Sequence, residues 1–478
     1  IIIILFVNVL RKDGMILAGV KGLLFGWIFC VALMYWVGIS SQTWISVPLL
    51  GLVEGFFYAI VAVIIHQVYR SPFFEEHFLW RITAASVVWV GGEIVRSTVP
   101  LGGLSWGIIA FSQNSSPLIR LAPWGSTWLV AFFTIYVALL VEYACSRGTH
   151  YYLSSRFFSL FLASLLTLII SFLPMYRHSE GSIRAAFIQG SIAHDEESND
   201  WTYRSLDVTT NIEHVALSLQ DTDVDIVVLP ESTSDIDIRT NDEARKHIEN
   251  IYNHFHAPIL LGTQSFSKEH RTNDYLVWNN GVISDVYSKK HPVPFGEYVP
   301  YEEKLTSWFP VLKNVGINMV SGNKDAYVDI RLHERNLRVA TPICFEVGYG
   351  DIVADAVTKN ADLIIVPTNN ASFGYSFESE QQFDMSHFRA IEHGKTTLQI
   401  STVGVSGVIA AGGQVMEKTK LWEPDARIVE LPLHTYTTFA TTHYSYVTIF
   451  FLVCTGGVIL VLLTEKFVRA MRRWRKKK

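Results

Sequence analysis

Apolar residues are arranged along this chain in two different patterns. Long apolar stretches occupy the first 176 residues and return near the C-terminus, whereas short apolar runs between polar segments fill the middle. A helix of about 20 apolar residues crosses roughly 30 Å of hydrocarbon. The pattern therefore predicts six membrane-spanning helices, at residues 15–38, 45–69, 78–97, 124–145, 156–176 and 446–464.

The first ten residues, IIIILFVNVL, form another apolar stretch, which is too short to cross a membrane alone. The stretch does not begin with Met, and it has neither the basic segment nor the small-residue cleavage site of a signal peptide. We expect it to be the end of a further span whose beginning precedes residue 1.

Basic residues give the spans an orientation, because Lys and Arg in short loops favour the cytoplasmic side. The tail EKFVRAMRRWRKKK at 465–478 carries eight basic residues and one acidic residue. A solvated charge run is the simpler alternative, but a position beside an apolar segment favours a cytoplasmic anchor. Residues 177–445 are then expected on the outer face. The other basic residues that agree with this orientation are Arg11, Lys12, Arg70, Arg81, Arg147 and Arg156.

Besides the arginines near the span ends, five ionisable residues lie inside the predicted spans, where an unpaired charge is costly. Most of them lie within a turn or two of a span end, and the spacing of Glu93 and Arg96 predicts an i,i+3 pair. We expect these residues to reach the interface or to pair rather than to form a functional site. They are Lys21, Glu54, His66, Glu93 and Glu142.

From about residue 183 the pattern changes to short apolar runs that alternate with amphipathic segments. Strands are predicted at AAFIQG, DIVVLPE, PILLGTQSF, LRVATPICFE and ADLIIVPTN, and helices at EARKHIENIYNHF, GDIVADAVTKN and QQFDMSHFRAIEHGKT. Such alternation is typical of a layered α/β domain with buried strands. The predicted organisation is a membrane domain at 1–176, an outer α/β domain at 177–445, a final span at 446–464 and a basic tail at 465–478.

The composition fits a membrane protein and argues against several kinds of binding site. Of the 478 residues, 49% are hydrophobic and only 17% are charged. The sequence contains no P-loop, no dinucleotide-binding fingerprint and no repeat. Its cysteines, Cys30, Cys145, Cys344 and Cys454, are neither paired in one region nor clustered with His as zinc ligands. We expect no cofactor, no metal and no nucleic-acid partner.

Polar residues are concentrated where the predicted strands end. Glu231 follows the run DIVVLP, and Cys344 follows TPI. Lys289 and Lys290 lie just before the turn HPVPFGEYVP. Each residue alone has an ordinary alternative, such as a solvated loop side chain or a buried inert cysteine. Because substrate sites in α/β folds form at the carboxyl ends of strands, together they predict a thiol nucleophile with a base and an oxyanion-stabilising cation.

Three motifs, in this order, resemble the Glu-Lys-Cys pattern of the nitrilase superfamily: LPES, K-x-H-x-VPFGEYVP and ICFE. With the predicted spans and the basic-tailed last helix, nearly the whole chain resembles the apolipoprotein N-acyltransferase family. The segment GGLSWGIIAFSQNSSPLIRLAPWGS resembles that family's loop between two spans, and its Gly, Trp and Phe content suits a lipid-facing surface. The resemblance implies a polytopic α-helical membrane domain that carries a nitrilase-like α-β-β-α sandwich.

The resemblance also implies roles for individual residues. Cys344 corresponds to the nucleophile, Glu231 to the general base and Lys289 to the cation that stabilises the oxyanion. Lys289 matches the motif better than Lys290, because it lies two residues after Tyr287. The supporting and substrate-contacting positions that the resemblance implies are Glu297, Glu346, Phe345, Trp201, Trp106, Phe111, Ser372 and Phe373.

Two positions depart from the family pattern. Phe345 stands where the family often has tyrosine, and Ser372 stands where many members have tryptophan. The first change removes only a hydroxyl group, whereas the second removes a large aromatic contact. We therefore expect the lipid-contacting surface to differ, rather than the three reactive residues.

The implied reaction transfers a fatty acyl group from a membrane phospholipid to Cys344 and then to the N-terminal amine of a diacylglyceryl lipoprotein. The implied location is a bacterial cell membrane, with the catalytic domain outside the cytoplasm. A membrane-tethered amidase would instead use the same residues on a small amide, with water as the acceptor. A receptor or transporter would use the spans themselves, and the lack of clear inverted repeats argues against it.

Overall fold

The computed structural model of the chain describes residues 2–10, 14–146, 153–176, 178–192, 206–333 and 335–476. The chain separates into two compact units. The first unit comprises Ile1–Pro174 and His443–Lys478, and the second unit comprises Met175–Thr442. The polar residues noted at the strand ends therefore all belong to the second unit.

Helices make up most of the first unit and part of the second. In chain order, the helices of the described residues are α1 Ile2–Leu10, α2 Met15–Leu33, α3 Val37–Ser40, α4 Ser46–Arg70, α5 Pro72–Glu76, α6 Phe78–Arg96, α7 Ala122–Cys145, α8 Leu153–Ser171, α9 Asp207–Leu217, α10 Asp242–Phe255, α11 Glu302–Trp308, α12 Gly350–Val357, α13 Glu378–His393 and α14 Phe439–Arg475. Short 3₁₀ turns lie at Ile109–Gln113, Pro117–Leu121, Pro310–Val315, Cys344–Gly348 and Ala371–Phe373.

Among the described residues, six helical segments are long and apolar enough to cross a membrane, and they are α2, α4, α6, Pro117–Cys145, α8 and α14. The six apolar helices predicted from the sequence are therefore confirmed. Several of the predicted bounds differ from the structure, and two of the differences have a clear local cause. The first long helix ends at Leu33, ahead of the separate helix α3. The last helix continues to Arg475, because the Ala, Met, Lys and Arg residues of the tail are good helix formers.

Helices α2 and α4 pack with their backbones close together. A methyl group on Gly22 of α2 would lie 2.4 Å from Cβ of Ala62 and 2.6 Å from the carbonyl oxygen of Tyr58 in α4. These distances leave no room for a side chain, so the packing requires glycine at this position. Close approach of two helices through small residues is typical of packing within membranes.

A buried ion pair attaches the loop between α6 and α7 to the helices of the first unit. Arg96 is only 1% exposed, and it donates to the carboxylate of Glu54 at 2.9 Å and to the carbonyl oxygen of Trp106 at 2.9 Å. Glu93 accepts a hydrogen bond from the backbone N–H of Ile109 at 3.0 Å. The hydrogen-bonded partner of Arg96 is therefore Glu54 on α4, and not Glu93 as the i,i+3 spacing predicted.

The aromatic rings of this loop are buried. Trp106 is 1% exposed and packs edge-on against Trp36, with ring centroids 5.3 Å apart. Phe111 is also buried. Because Arg96 binds the backbone of Trp106 from inside the unit, the loop turns its rings inward. The prediction of a lipid-facing surface is therefore wrong for the rings of Trp106 and Phe111. Their contact with substrate stays a prediction.

Replacing Arg96 with leucine is expected to destabilise the protein by about 3–5 kcal/mol, because the buried Glu54 carboxylate would lose its partner. Thermal unfolding of the full chain in detergent measures the loss. Arg469→Leu is a matched control, since Arg469 pairs with Glu465 at the same 2.9 Å on an exposed part of α14. Exposed i,i+4 pairs contribute only about 0.3–0.5 kcal/mol. Equal losses of stability in the two variants would contradict the conclusion that burial makes the Arg96–Glu54 pair important for the fold.

The second unit contains two sheets, each formed by six of the described strands. In chain order the strands are β1 Ser182–Gln189, β2 Ile226–Val228, β3 Ile259–Phe266, β4 Arg271–Asn279, β5 Val282–Ser288, β6 Tyr327–Arg331, β7 Asn336–Ala340, β8 Leu363–Thr368, β9 Thr397–Ser401, β10 Gly407–Ile409, β11 Val415–Lys418 and β12 Asp425–Pro432. The first sheet has the order β12-β1-β2-β3-β4-β5, and the second has the order β11-β10-β9-β8-β7-β6.

Each sheet has parallel strands at its centre and helices on one face. Strands β1, β2 and β3 run parallel, as do β7, β8 and β9, and the outer strands pair antiparallel. Ile212 of α9 and Ile248 of α10 pack with Val227 of β2 on the first sheet. Phe383 of α13 packs with Ile409 of β10 on the second. The second unit is thus a layered α-β-β-α sandwich, and the predicted fold class is confirmed.

All five predicted strands are present, as β1, β2, β3, β7 and β8, and the three predicted helices are present as α10, α12 and α13. The apolar pattern of the sequence does not predict the strands β4, β5, β6, β9, β10, β11 and β12. The confirmed strands β2 and β7 are those that carry Glu231 and Cys344 just beyond their carboxyl ends.

Candidate active site

Cys344 lies four residues after β7, at the start of the 3₁₀ turn Cys344–Gly348. Its φ angle of 54° lies in the left-handed region, which costs a residue other than glycine about 1–3 kcal/mol. The residue is 9% exposed. Strained backbone of this kind clusters at active sites, so the turn makes Cys344 a candidate nucleophile.

Glu231 follows β2 by three residues and is buried. Its carboxylate accepts a hydrogen bond from the side-chain amide of Asn273, on β4, at 2.7 Å. Its backbone lies directly against β3, since a methyl group on Gly262 would be only 1.5 Å from the Glu231 carbonyl oxygen. The neighbouring strands therefore fix both the backbone and the carboxylate of Glu231.

The Gly262→Ala variant is expected to destabilise the protein by about 1–3 kcal/mol or more, because overpacking moves the Glu231 backbone off its place beside β3. Thermal unfolding measures this loss. Gly457→Ala is a suitable control, since a methyl group there meets nothing within 4 Å and alanine favours a helix. If Gly262→Ala proves as stable as the control, the close contact with Glu231 does not constrain the fold.

Lys289 directly follows β5 and is buried, with 1% of its side chain exposed. Its ammonium group lies 2.7 Å from Oε1 of Glu297 and 3.5 Å from Oε1 of Glu231. The other carboxylate oxygen of Glu297 accepts a hydrogen bond from the backbone N–H of Val293 at 2.7 Å. Two carboxylates therefore flank one buried cation.

Glu346 is fully buried and ties the turn at Cys344 to the segment that carries Lys289. Its carboxylate accepts hydrogen bonds from the hydroxyl group of Tyr287 at 2.9 Å and from the backbone N–H of Ile343 at 2.7 Å. Two backbone N–H groups directly after Lys289 donate to it at 2.7 and 2.9 Å. Glu346 thus holds two parts of the site together.

Burial and neighbouring charges set the ionisation of this cluster. Burial raises the pKa of the Cys344 thiol well above its ordinary value, and the Glu231 charge adds to this effect while Lys289 opposes it. Burial also raises the pKa of Glu231, against the effects of Lys289 and of a hydrogen bond with the Cys344 thiol. Burial alone would lower the pKa of Lys289. The charges of Glu297 and Glu231 have a larger effect in the opposite direction, so the pKa of Lys289 is raised. The resting site therefore combines a neutral thiol, a carboxyl group of raised basicity and a protonated lysine.

The two positions that depart from the family pattern lie in different surroundings. Phe345 is buried, with its ring centroid 6.1 Å from that of Tyr349. Ser372 is exposed and Phe373 is partly buried, both in the 3₁₀ turn after β8. Their contact with substrate stays a prediction.

Three other predicted positions lie outside the described residues or outside the second unit. Trp201 lies outside the described residues, and Trp106 and Phe111 belong to the first unit. Within the described part of the chain, no group of three or more His, Cys, Asp or Glu side chains could hold a metal ion.

Three polar residues near Cys344 are not predicted by the sequence pattern. Gln382 of α13 donates from Nε2 to the Cys344 sulfur at 3.6 Å. Asn370 donates to Gln382 at 2.8 Å and to Glu378 at 2.7 Å. Burial raises the pKa of Glu378 to about 8, against the Asn370 hydrogen bond and with a contribution from the Glu231 charge. The sequence offered little signal for Gln382 and Glu378, because polar residues on an amphipathic helix are usually exposed, and Asn370 lies in a polar loop directly after β8.

Two family models match different parts of the chain. Residues 184–441 match the family model described as Carbon-nitrogen hydrolase, which is more than half of the chain. The chain belongs to the carbon-nitrogen hydrolase family. Residues 1–140, ahead of the carbon-nitrogen hydrolase domain, match the model described as Apolipoprotein N-acyltransferase N-terminal domain.

Individual relatives match both parts of this carbon-nitrogen hydrolase family member. The apolipoprotein N-acyltransferase of Wigglesworthia glossinidia brevipalpis is 25% identical over 86% of this chain and 81% of its own length. That of Aquifex aeolicus is 27% identical over 79% of this chain and 84% of its own length. A solved amidase of the nitrilase superfamily from Nesterenkonia AN1 is 18% identical, with a TM-score of 0.39 over 54% of this chain and 92% of the amidase. The two family matches and the first two relatives support an acyltransferase.

Proposed function

We propose that this protein transfers a fatty acyl group from a membrane phospholipid to the N-terminal amine of a diacylglyceryl lipoprotein, through a thioester on Cys344. The observation that carries the proposal is the cluster of one buried thiol and one buried lysine between two carboxylates, Glu231 and Glu297. The names of the matched relatives support a lipoprotein as the acceptor.

In the first half-reaction, Glu231 accepts the thiol proton of Cys344 as the sulfur attacks the ester carbonyl of the phospholipid. Lys289 stabilises the oxyanion of the tetrahedral intermediate. The intermediate collapses by breaking the ester C–O bond, and Glu231 returns the proton to the departing alkoxide. The products are a lysophospholipid and an acyl thioester on Cys344.

In the second half-reaction, the free amine of the lipoprotein attacks the thioester carbonyl. Lys289 again stabilises the oxyanion, and Glu231 accepts the proton that the attacking nitrogen loses. The C–S bond then breaks, an amide forms, and the proton passes from Glu231 to the departing sulfur of Cys344. The protein returns to its starting state with no oxidant, metal or nucleotide consumed.

The ionisation of the site supports this use of a general base. Because burial and the Glu231 charge raise the pKa of the Cys344 thiol, the resting sulfur is protonated and needs a base when it attacks. The raised pKa of Glu231 makes this carboxyl group a stronger base than an exposed glutamate. The shift of Glu231 therefore narrows the difference in proton affinity between donor and acceptor, whereas the shift of the thiol widens it.

An exposed apolar segment next to Glu297 supports a lipid substrate. The backbone N–H of Met319 donates to the Glu297 carbonyl at 3.0 Å, and none of the described residues of α11 is buried. Large exposed apolar patches mark contacts with membranes or other partners. A small water-soluble amide would not need such a surface, so the segment favours the lipid donor over the amidase alternative. Its exposed side chains are Phe295, Tyr301, Trp308, Phe309, Val311, Ile317 and Val320.

The proposed location is a bacterial cell membrane, with residues 177–445 outside the cytoplasm and the basic tail at 465–478 inside it. A cysteine in place of Lys268, which is exposed between β3 and β4, is expected to react with a membrane-impermeant maleimide in intact spheroplasts. A cysteine in place of Arg475 is expected to react only after lysis. The exposed Cys145 is replaced with serine in both variants. The opposite labelling pattern would refute the orientation.

Mass spectrometry of the purified protein tests the reaction directly. After incubation with a phospholipid of known acyl chains and no acceptor, we expect one hydroxylamine-sensitive fatty acyl group on the peptide that contains Cys344. Addition of a diacylglyceryl peptide with a free N-terminus is expected to move that group to the peptide amine. An unmodified protein that still acylates the peptide would exclude the thioester. Hydrolysis of a small amide without any reaction with phospholipid would support the amidase instead.

A further inference from the structure

A network of buried polar side chains touches Cys344 and has no part in the mechanism described above. Buried polar groups are costly unless they are hydrogen-bonded, so a network of this size requires a physical reason. Its members are all 2% exposed or less, and they are Thr368, Asn370, Glu378, Gln382 and Ser401.

Gln382 connects this network to the sulfur. Its Nε2 lies 3.6 Å from Sγ of Cys344. Its Oε1 accepts hydrogen bonds from Nδ2 of Asn370 at 2.8 Å and from the hydroxyl group of Thr368 at 3.0 Å. Turning the amide over would place Nε2 against the N–H of Asn370. The Asn370 donor on Oε1 therefore requires Gln382 to present an N–H to the sulfur.

Asn370 is oriented in the same way by its own partners. Its Nδ2 donates to the carboxylate of Glu378 at 2.7 Å, as well as to Gln382. Its Oδ1 accepts from the hydroxyl group of Ser401 at 2.6 Å, and that hydroxyl oxygen accepts from the backbone N–H of Gly404 at 2.8 Å. The hydroxyl group of Thr368 also lies 2.7 Å from this Oδ1, so its single hydrogen is shared between Asn370 and Gln382. The Glu378 and Gln382 acceptors keep Nδ2 of Asn370 turned toward them, and Asn370 in turn keeps Nε2 of Gln382 turned toward the sulfur of Cys344.

We propose that Gln382 is a further catalytic residue, which stabilises the Cys344 thiolate by donating Nε2–H to its sulfur, with Asn370 as its positioning residue. The inference rests on the proposed function, in which this cysteine is the nucleophile. The sulfur carries negative charge as Glu231 removes its proton, and again when the C–S bond breaks. At those moments Lys289 is engaged by the Glu297 carboxylate and by the oxyanion, whereas Gln382 is a neutral donor directed at the sulfur. It therefore lowers the cost of a buried thiolate in both half-reactions.

Two substitutions separate the donor role from packing. Gln382→Glu keeps an acceptor oxygen for Asn370 and Thr368 but places a carboxylate oxygen against the sulfur of Cys344. Gln382→Met removes the donor without adding charge. The readout is the pH dependence of iodoacetamide alkylation of the full-length protein in detergent, followed by mass spectrometry of the Cys344 peptide. We expect the midpoint pH of alkylation to rise in both variants. At neutral pH, we expect the alkylation rate of each variant to be lower than that of the wild type by up to about tenfold.

Glu380→Gln is the control for these variants, because Glu380 lies on the same helix in an exposed pair with Lys418 at 2.7 Å. Its alkylation profile is expected to equal that of the wild type. Thermal unfolding shows whether each Gln382 variant is folded, and Gln382→Glu keeps the network acceptor if Gln382→Met fails to fold. Wild-type alkylation profiles in the folded variants would overturn the proposal for Gln382. Failure of the wild type to form an acyl thioester would instead overturn the proposed function, while the alkylation profiles still decide the donor role.

Discussion

Replacing Cys344 with serine is expected to abolish the acyl-enzyme and to lower acyl transfer by on the order of a thousandfold or more. The hydroxyl group of serine is far harder to deprotonate than a thiol, and a carboxyl group such as Glu231 is not basic enough to do so even with a raised pKa. The two side chains have nearly the same shape, so the turn at Cys344 is retained. Mass spectrometry with phospholipid alone and a transfer assay with a diacylglyceryl peptide measure the two effects.

Cys145→Ser is the matched control for this substitution. Cys145 is also a free cysteine, but it is exposed at the end of α7. Its replacement is expected to leave both the acyl-enzyme and the transfer rate unchanged. If Cys344→Ser kept a transfer rate near that of the wild type, acyl transfer would not pass through this sulfur, and direct attack of the amine on the phospholipid would have to replace the thioester.

The fold was predictable where a local pattern carries the information. The continuous apolar runs of β2 and β8 identify strands by themselves, and the long apolar helices identify spans. Strand β11, with the sequence VMEK, is mostly exposed and becomes a strand only by pairing with β10. Strand β12 lies at 425–432 but pairs along its whole length with β1 at 182–189. Pairings between such distant segments leave no periodic signal in either one.

The residues of the candidate site also divide into those with a local sequence signal and those without one. Glu231, Lys289 and Cys344 follow strands or precede a proline-rich turn, so their positions in the sequence already set them apart. Asn273 lies in the middle of β4, and Gln382 lies within α13, and each is recognisable only through its partner on another element. Side chains of this kind look like ordinary exposed polar residues until the sheets and helices are assembled.

The inward-facing rings of the loop between α6 and α7 show that amino-acid composition does not predict which way a loop side chain faces. Trp106 lies in a glycine-rich loop between two spans, and such a loop suggests a surface that contacts lipid. The hydrogen bond from Arg96 to its carbonyl oxygen and the contact with Trp36 instead bury the ring. The position of this ring depends on an ion pair between α4 and α6, and neither helix reveals that pair by its own sequence.

Replacing Lys289 with methionine is expected to lower acyl transfer by about 100- to 1000-fold, the typical cost of losing one donor to an oxyanion. The substitution also leaves Glu231 and Glu297 facing each other without a cation. Because Lys289 lowers the pKa of Glu231 in the wild type, its loss raises that pKa further. A smaller fraction of the base is then ionised at neutral pH, so the remaining activity is expected to rise with pH over a range in which the wild type is already constant. The pH profile of acyl-enzyme formation measures this shift.

Lys290→Met is the matched control, because the two lysines are adjacent and yet lie in different surroundings. Lys290 is partly exposed and pairs with Asp325 at 3.4 Å, whereas Lys289 is buried between two carboxylates. Exposed pairs contribute at most about 1 kcal/mol, so the control is expected to keep its transfer rate and its pH profile. A lower rate in Lys289→Met with an unchanged pH profile would mean that the lysine acts on the oxyanion alone. Equal losses in both variants would show that neither lysine has the specific role that burial assigns to Lys289.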